Sequence, residues 1–226
     1  MGYYIDLKKI SLEQYHQKLS ISYLPPSRMM LKERTEERFR HFRDKGINNV
    51  KELLQFLKKQ NNFDELRKIE CFSGDYLTIL LREIKSIQPK PNRISDFSVI
   101  TKDTVIRLGK IGITNTEKSY PKILTTQSRD ELASQTGIST EEILQLTKLT
   151  DISRMKWVGV LFAQILFETG FDTVNKIKFA DSVELHKRVN TLIKEKQIYK
   201  GQIGLNDIRI LIDVAGDLDD EVEYGE

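Results

Sequence analysis

Three observations predict an all-α protein. Apolar residues recur at three- and four-residue spacing, side chains that suit helix starts punctuate the chain, and alternating strand patterns are absent. A fourth observation organises these helices. At an offset of 66, Gly46-Ile47 falls on Gly112-Ile113, Asp64-Glu65-Leu66 on Asp130-Glu131-Leu132, and Phe72-Ser73 on Ile138-Ser139. At a further offset of 58, Ile94-Ser95 meets Ile152-Ser153 and Gly112-Ile113 meets Gly170-Phe171. The chain therefore reads as three related helical units, near 29–86, 95–151 and 153–200.

The expected elements follow in order. Residues 1–28 form an N-terminal extension with one short helix, opened by the capping-box pattern Ser11-Leu-Glu-Gln14. Residues 29–93 hold the first unit and a Pro-containing linker. Its opening stretch, RMMLKERTEERFRHFRDK (28–45), has seven bases and four acids interleaved at helical spacing, the pattern of a salt-bridged exposed helix. Phe39/Phe42 and Val50/Leu53/Leu54/Leu57 mark apolar helix faces, and Ser73 suits a helix start. The prolines of QPKPNR (88–93) break helices and separate the first two units. Residues 94–218 hold the second and third units and a closing helix; Ser128-Arg-Asp-Glu131 and Ser139-Thr-Glu-Glu142 read as further capping boxes. Gly46, Gly112 and Gly170 each follow a periodic helix, where a left-handed residue favours glycine. Residues 219–226 are an acidic tail.

The third unit, DISRMKWVGVLFAQILFETGFDTVNKI followed by FADSVELHKRVNTLI, resembles the tandem helix-hairpin-helix-like domain of bacterial proteins grouped as a domain of unknown function. The ending GQIGLNDIRILIDVAGDL resembles the helix that closes such domains. The resemblance covers most of 94–218 and reaches 29–86 through the internal repeat. It implies a compact all-α fold of tandem degenerate helix-hairpin-helix-like repeats with a closing C-terminal helix. It also implies a nucleic-acid association and supplies no reaction.

In such a hairpin, glycines let backbone N–H groups approach a phosphate at a helix start. The six hairpin positions hold Glu33, Thr35, Val99, Thr101, Trp157 and Gly159, so one in six is glycine. Thr35 and Thr101 suit N-caps, and Glu33 repels phosphate, so the first two hairpins read as packing devices. The third remains a candidate binding element. Arg154 and Lys156 would contact phosphate, with Gly159 giving the close backbone approach. Trp157 aligns with Val99, which favours a partly buried apolar position. Its place at the hairpin tip suits instead a stacking platform or an interface anchor. Lys187 and Arg188 would extend a basic strip.

Charge and composition narrow the function. Residues 1–95 carry 19 Lys and Arg against 12 Asp and Glu, whereas 96–226 carry 17 against 21. The basic half suggests an anionic partner, DNA or RNA; the seven acids and no base after Ile212 suggest a segment that competes for that surface. A protein-interaction scaffold using the same helices is the alternative. The absence of a long apolar run argues against a membrane, and the N-terminal stretch lacks a signal-peptide core. His16, His41 and His186 are scattered without a ligand pair at helical spacing, and Cys71 is the only cysteine. Cys71 aligns with a turn glycine, Gly137, so a small buried thiol is expected rather than a nucleophile. The expectation is a cytoplasmic, non-catalytic protein without metal or cofactor.

Overall fold

A computed structural model describes residues 2–198 and 200–224. The fold is all-α: among the described residues there are helices, short 3-10 turns and two isolated β-bridges, and no strand. The chain divides into two compact units. One is Ile5–Gln88; the other joins Met1–Tyr4 to Pro89–Glu226, so the division falls inside QPKPNR.

The Ile5–Gln88 unit holds α1 (Leu12–Ile21), α2 (Thr35–Asp44), α3 (Val50–Leu57), α4 (Gln60–Leu66) and α5 (Gly74–Ser86). Its core gathers Phe39 and Phe42 of α2, Leu53 of α3 and Leu77 and Leu80 of α5, all fully buried. Ser11 and Gln14 form the expected capping box at α1, and Ser73 accepts from the Tyr76 N–H at α5. Thr35 does not cap α2. Its hydroxyl donates to the Lys32 carbonyl at 2.7 Å, and Arg34 takes the cap position with a left-handed φ of 46°. Arg38 is buried and donates to three carbonyls, those of Met30, Glu33 and Cys71, which binds the α2 face to the turn before α5. The single exposed helix expected at 28–45 is instead a 3-10 helix, Pro26–Lys32, followed after the left-handed Arg34 by α2, which is anchored through its own buried Arg38.

The second unit holds α6 (Lys102–Lys110), α7 (Thr116–Ser119), α8 (Thr126–Thr136), α9 (Thr140–Ile152), α10 (Val160–Glu168), α11 (Val174–Lys178), α12 (Ser182–Glu195) and the closing α13 (Leu205–Ala215). Thr101 and Ser139 cap α6 and α9 as expected. At α8 the capping box is Thr125 with Ser128, so this helix starts one turn earlier than Ser128-Arg-Asp-Glu131 suggested. Tyr3 belongs to this unit: its hydroxyl donates to the Ser153 carbonyl at 3.0 Å and pairs with Thr116 at 2.8 Å.

One turn recurs three times. Gly46, Gly112 and Gly170 have φ of 74°, 81° and 82°, each ending a helix. Three residues on, Asn49, Asn115 and Thr173 cap the next helix through the side chain. The N–H after each cap needs a partner from elsewhere in the unit. Val50 donates to the Ile10 carbonyl at 3.0 Å and Thr116 to the Asn92 carbonyl at 2.9 Å. Val174 instead donates to a carboxylate, Asp151 Oδ2, at 3.0 Å. That exchange of a carbonyl for an acid shapes the ground beneath the third hairpin.

Candidate nucleic-acid interface

The hairpin 153–159 joins α9 to α10. Met155 and Val158 are buried, and Asn92 fixes the chain from the opposite side. Its side-chain amide donates to Ser153 Oγ at 3.0 Å and to the Val158 carbonyl at 3.3 Å. With its two apolar neighbours drawn inward, Trp157 stands outward and 39% exposed. The alignment with Val99 pointed to the core; the backbone explains the difference. Trp157 has φ of 68°, the left-handed region that a hairpin glycine would enter freely. An L side chain there costs about 1–2 kcal/mol, and such strain is kept where the surrounding structure imposes it.

Gly159 follows in extended backbone and takes the N-cap position of α10 with no side-chain cap. A Cβ at Gly159 would meet nothing within 4 Å, so the fold does not require glycine there. The first N–H groups of α10 are left without intrahelical partners, and their dipole favours negative charge.

Across from the hairpin runs Pro89–Arg93. Together they line a groove of about 510 Å³, bounded by Lys90, Arg93, Asp96, Trp157 and Gly159 among others. Lys90 and Arg93 are exposed, and Lys156 is half-buried with its Nζ 4.3 Å from the centre of the Trp157 ring. Asp96 is the one carboxylate of the lining. An apolar hollow of about 390 Å³ adjoins the groove, sharing Gly159 and Val160 and continuing over Leu161, Phe162, Ile165 and Ile203.

Arg154 is not part of this groove. It is 4% exposed, its guanidinium pairing with Asp151 at 3.0 Å and lying 4.7 Å over the Tyr120 ring. It also donates to the Asp219 carbonyl at 3.4 and 3.3 Å. The acidic segment is fastened at the same place. Tyr120 donates to Glu221 at 3.0 Å, Tyr224 to Asp151 at 2.9 Å, and Lys178 pairs with Asp220 at 3.3 Å. The expected competitor for a basic surface is thus a strap over one buried arginine; its last two residues, 225–226, lie outside the described part. Burial pushes the Asp151 carboxyl up, against the Val174, Arg154 and Tyr224 donors that favour its ionised form.

Lys187 and Arg188 are exposed on α12. Arg188 pairs with Glu184 and lies 5.5 Å from the Phe171 ring. Phe171 follows the C-terminal end of α10, a helix about 13 Å long at 1.5 Å per residue. Arg188 therefore stands at the end opposite Gly159. Of the six residues expected at the site, Lys156, Trp157 and Gly159 are brought together. Lys90, Asn92 and Arg93 are not legible as site residues because QPKPNR reads as a linker; its Lys and Arg, flanking Pro-Asn, are the available signal.

Cys71 is buried, and burial pushes its thiol up.

A family described as Domain of unknown function (DUF4332) matches residues 98–218, more than half of the chain, and the chain belongs to that family. The matched region contains the hairpin and α10 but neither the Pro89–Arg93 wall nor the acidic strap. No curated protein and no solved structure is matched.

Proposed function

We propose that the chain is a non-catalytic binding protein of tandem helix-hairpin-helix-like repeats that holds single-stranded nucleic acid in the groove between Pro89–Arg93 and the third hairpin. The observation that carries this reading is Trp157. It is a large aromatic side chain kept exposed in a strained backbone conformation, beside cations and an uncapped helix start. Base–aromatic stacking contributes about 1–3 kcal/mol and tolerates any sequence. Lys90, Arg93 and Lys156 supply phosphate contacts, which position the strand without reading bases. Gly159 admits the backbone approach that its own fold does not need.

Binding of labelled single-stranded DNA and RNA, followed by anisotropy over a salt series, tests this reading. The logarithm of affinity is expected to fall linearly with that of salt, and Lys90→Glu and Arg93→Glu each to reduce the slope by about one unit. Trp157→Gly keeps the left-handed turn and removes the ring, so affinity falls while the fold is retained. A wild-type chain without salt-dependent binding to either strand refutes the reading.

The apolar hollow beside the groove favours a second reading, a protein-interaction scaffold, because Leu161 is 52% exposed at its edge. Under that reading Leu161→Asp abolishes partner binding, and Lys90→Glu leaves it unchanged.

A further inference from the structure

We propose a divalent-metal site in the Ile5–Gln88 unit, formed by Glu37, His41 and Cys71 and suited to Zn²⁺. One carboxylate oxygen, one ring nitrogen and the Sγ atom all lie within 4.8 Å of one another. Glu37 and His41 are four residues apart on α2, so both project from one helix face. Cys71 reaches the same point from the turn before α5. Glu37 and His41 thus form a carboxylate–imidazole pair at helical ligand spacing.

The geometry needs little adjustment. Tetrahedral Zn²⁺ holds S, N and O ligands at about 2.0–2.3 Å, which places the ligand atoms roughly 3.5 Å apart. The trio closes by at most about 1.3 Å, and the half-exposed Glu37 and its partner Arg34 have room to move together. Cys71 is held in place in advance. Arg38 binds the Cys71 carbonyl at 2.6 Å and two further carbonyls, holding the turn against α2. The His41 ring packs at 5.8 Å from Phe72, and its nitrogens make no hydrogen bond to another described residue.

The second shell also suits a metal. Arg34 donates to both Glu37 oxygens, at 2.7 and 2.9 Å. A carboxylate has about four lone-pair sites, so it accepts this fork and still ligates. Metal-bound carboxylates are commonly oriented by such partners. A thiolate with an imidazole and a single carboxylate selects Zn²⁺ over Mg²⁺ or Ca²⁺, which take oxygen ligands. Binding releases the thiol proton to solvent, and the fourth position lies on the half-exposed Glu37–His41 side for water.

Titration of the metal-free full chain with Co²⁺, followed by displacement with Zn²⁺, tests the site. The expected spectrum is a tetrahedral ligand-field band with a thiolate-to-cobalt charge-transfer band, saturating at one metal per chain. Since Cys71 is the only cysteine, the charge-transfer band assigns itself. Cys71→Ser removes it. His41→Gln and Glu37→Gln, on a half-exposed face, weaken Zn²⁺ binding by about tenfold or more with an unchanged circular dichroism spectrum. Absence of the thiolate band in the folded wild type overturns the proposal. So does a Zn²⁺ affinity that His41→Gln and Glu37→Gln leave unaltered.

Discussion

Arg154 shows how a cation beside a turn can be turned inward by partners far along the chain. Its ligands are Asp151 three residues back, the Tyr120 ring, and the Asp219 carbonyl 65 residues on. Only the first is readable from local spacing, so its burial was not legible in the sequence. Removing one member of a buried ion pair strands the other, at a cost of about 3–5 kcal/mol. Arg154→Met is therefore expected to lower the urea midpoint sharply; an unchanged midpoint contradicts the burial. Asp172 carries a pH dependence. Burial alone would raise its carboxyl, but Lys148 at 2.5 Å and Lys176 at 2.7 Å hold it below the ordinary carboxylate range. The folded state binds this proton less tightly than the unfolded chain. Its stabilisation is complete above the unfolded pKa and is lost as pH falls through the folded one. Asp172→Asn should flatten the acid limb of a stability–pH curve, and a curve of unchanged slope argues against the pairing.

At the scale of elements, the glycine turn is the most legible feature and the helix starts the least even. Gly46, Gly112 and Gly170 stood out because each follows an apolar helix face, and their positive φ values explain the choice of residue. A Cβ at Gly112 would meet no neighbour within 4 Å, so Gly112→Ala tests backbone strain alone and should cost about 1 kcal/mol in chemical denaturation. Leu108 and Leu166, equivalent in the sequence repeat, are both fully buried on α6 and α10. Leu108→Ala and Leu166→Ala should each destabilise by about 2–5 kcal/mol, and midpoints equal to wild type would contradict that packing. Capping patterns were legible where one hydroxyl faced one N–H, as at Ser11, Ser73 and Ser139. They misled at Ser128, where Thr125 competes one turn earlier, and at Thr35, whose hydroxyl turns back to Lys32.

At the scale of the whole molecule, two compact units share one chain, and their division falls within QPKPNR. The same stretch, which reads as a linker, forms one wall of the groove. Tyr3 was equally hidden, since its hydrogen bonds reach residues 113 and 150 positions away. The candidate site was thus half legible: the hairpin was found through its glycine pattern, and its opposing wall was not. Trp157 offers a direct readout of the groove, because it is the only tryptophan of the chain. Its emission should be quenched saturably when an unlabelled single-stranded oligonucleotide is added at low salt, and should recover as salt is raised. Emission unchanged at every oligonucleotide concentration, with the fold intact, would contradict the account.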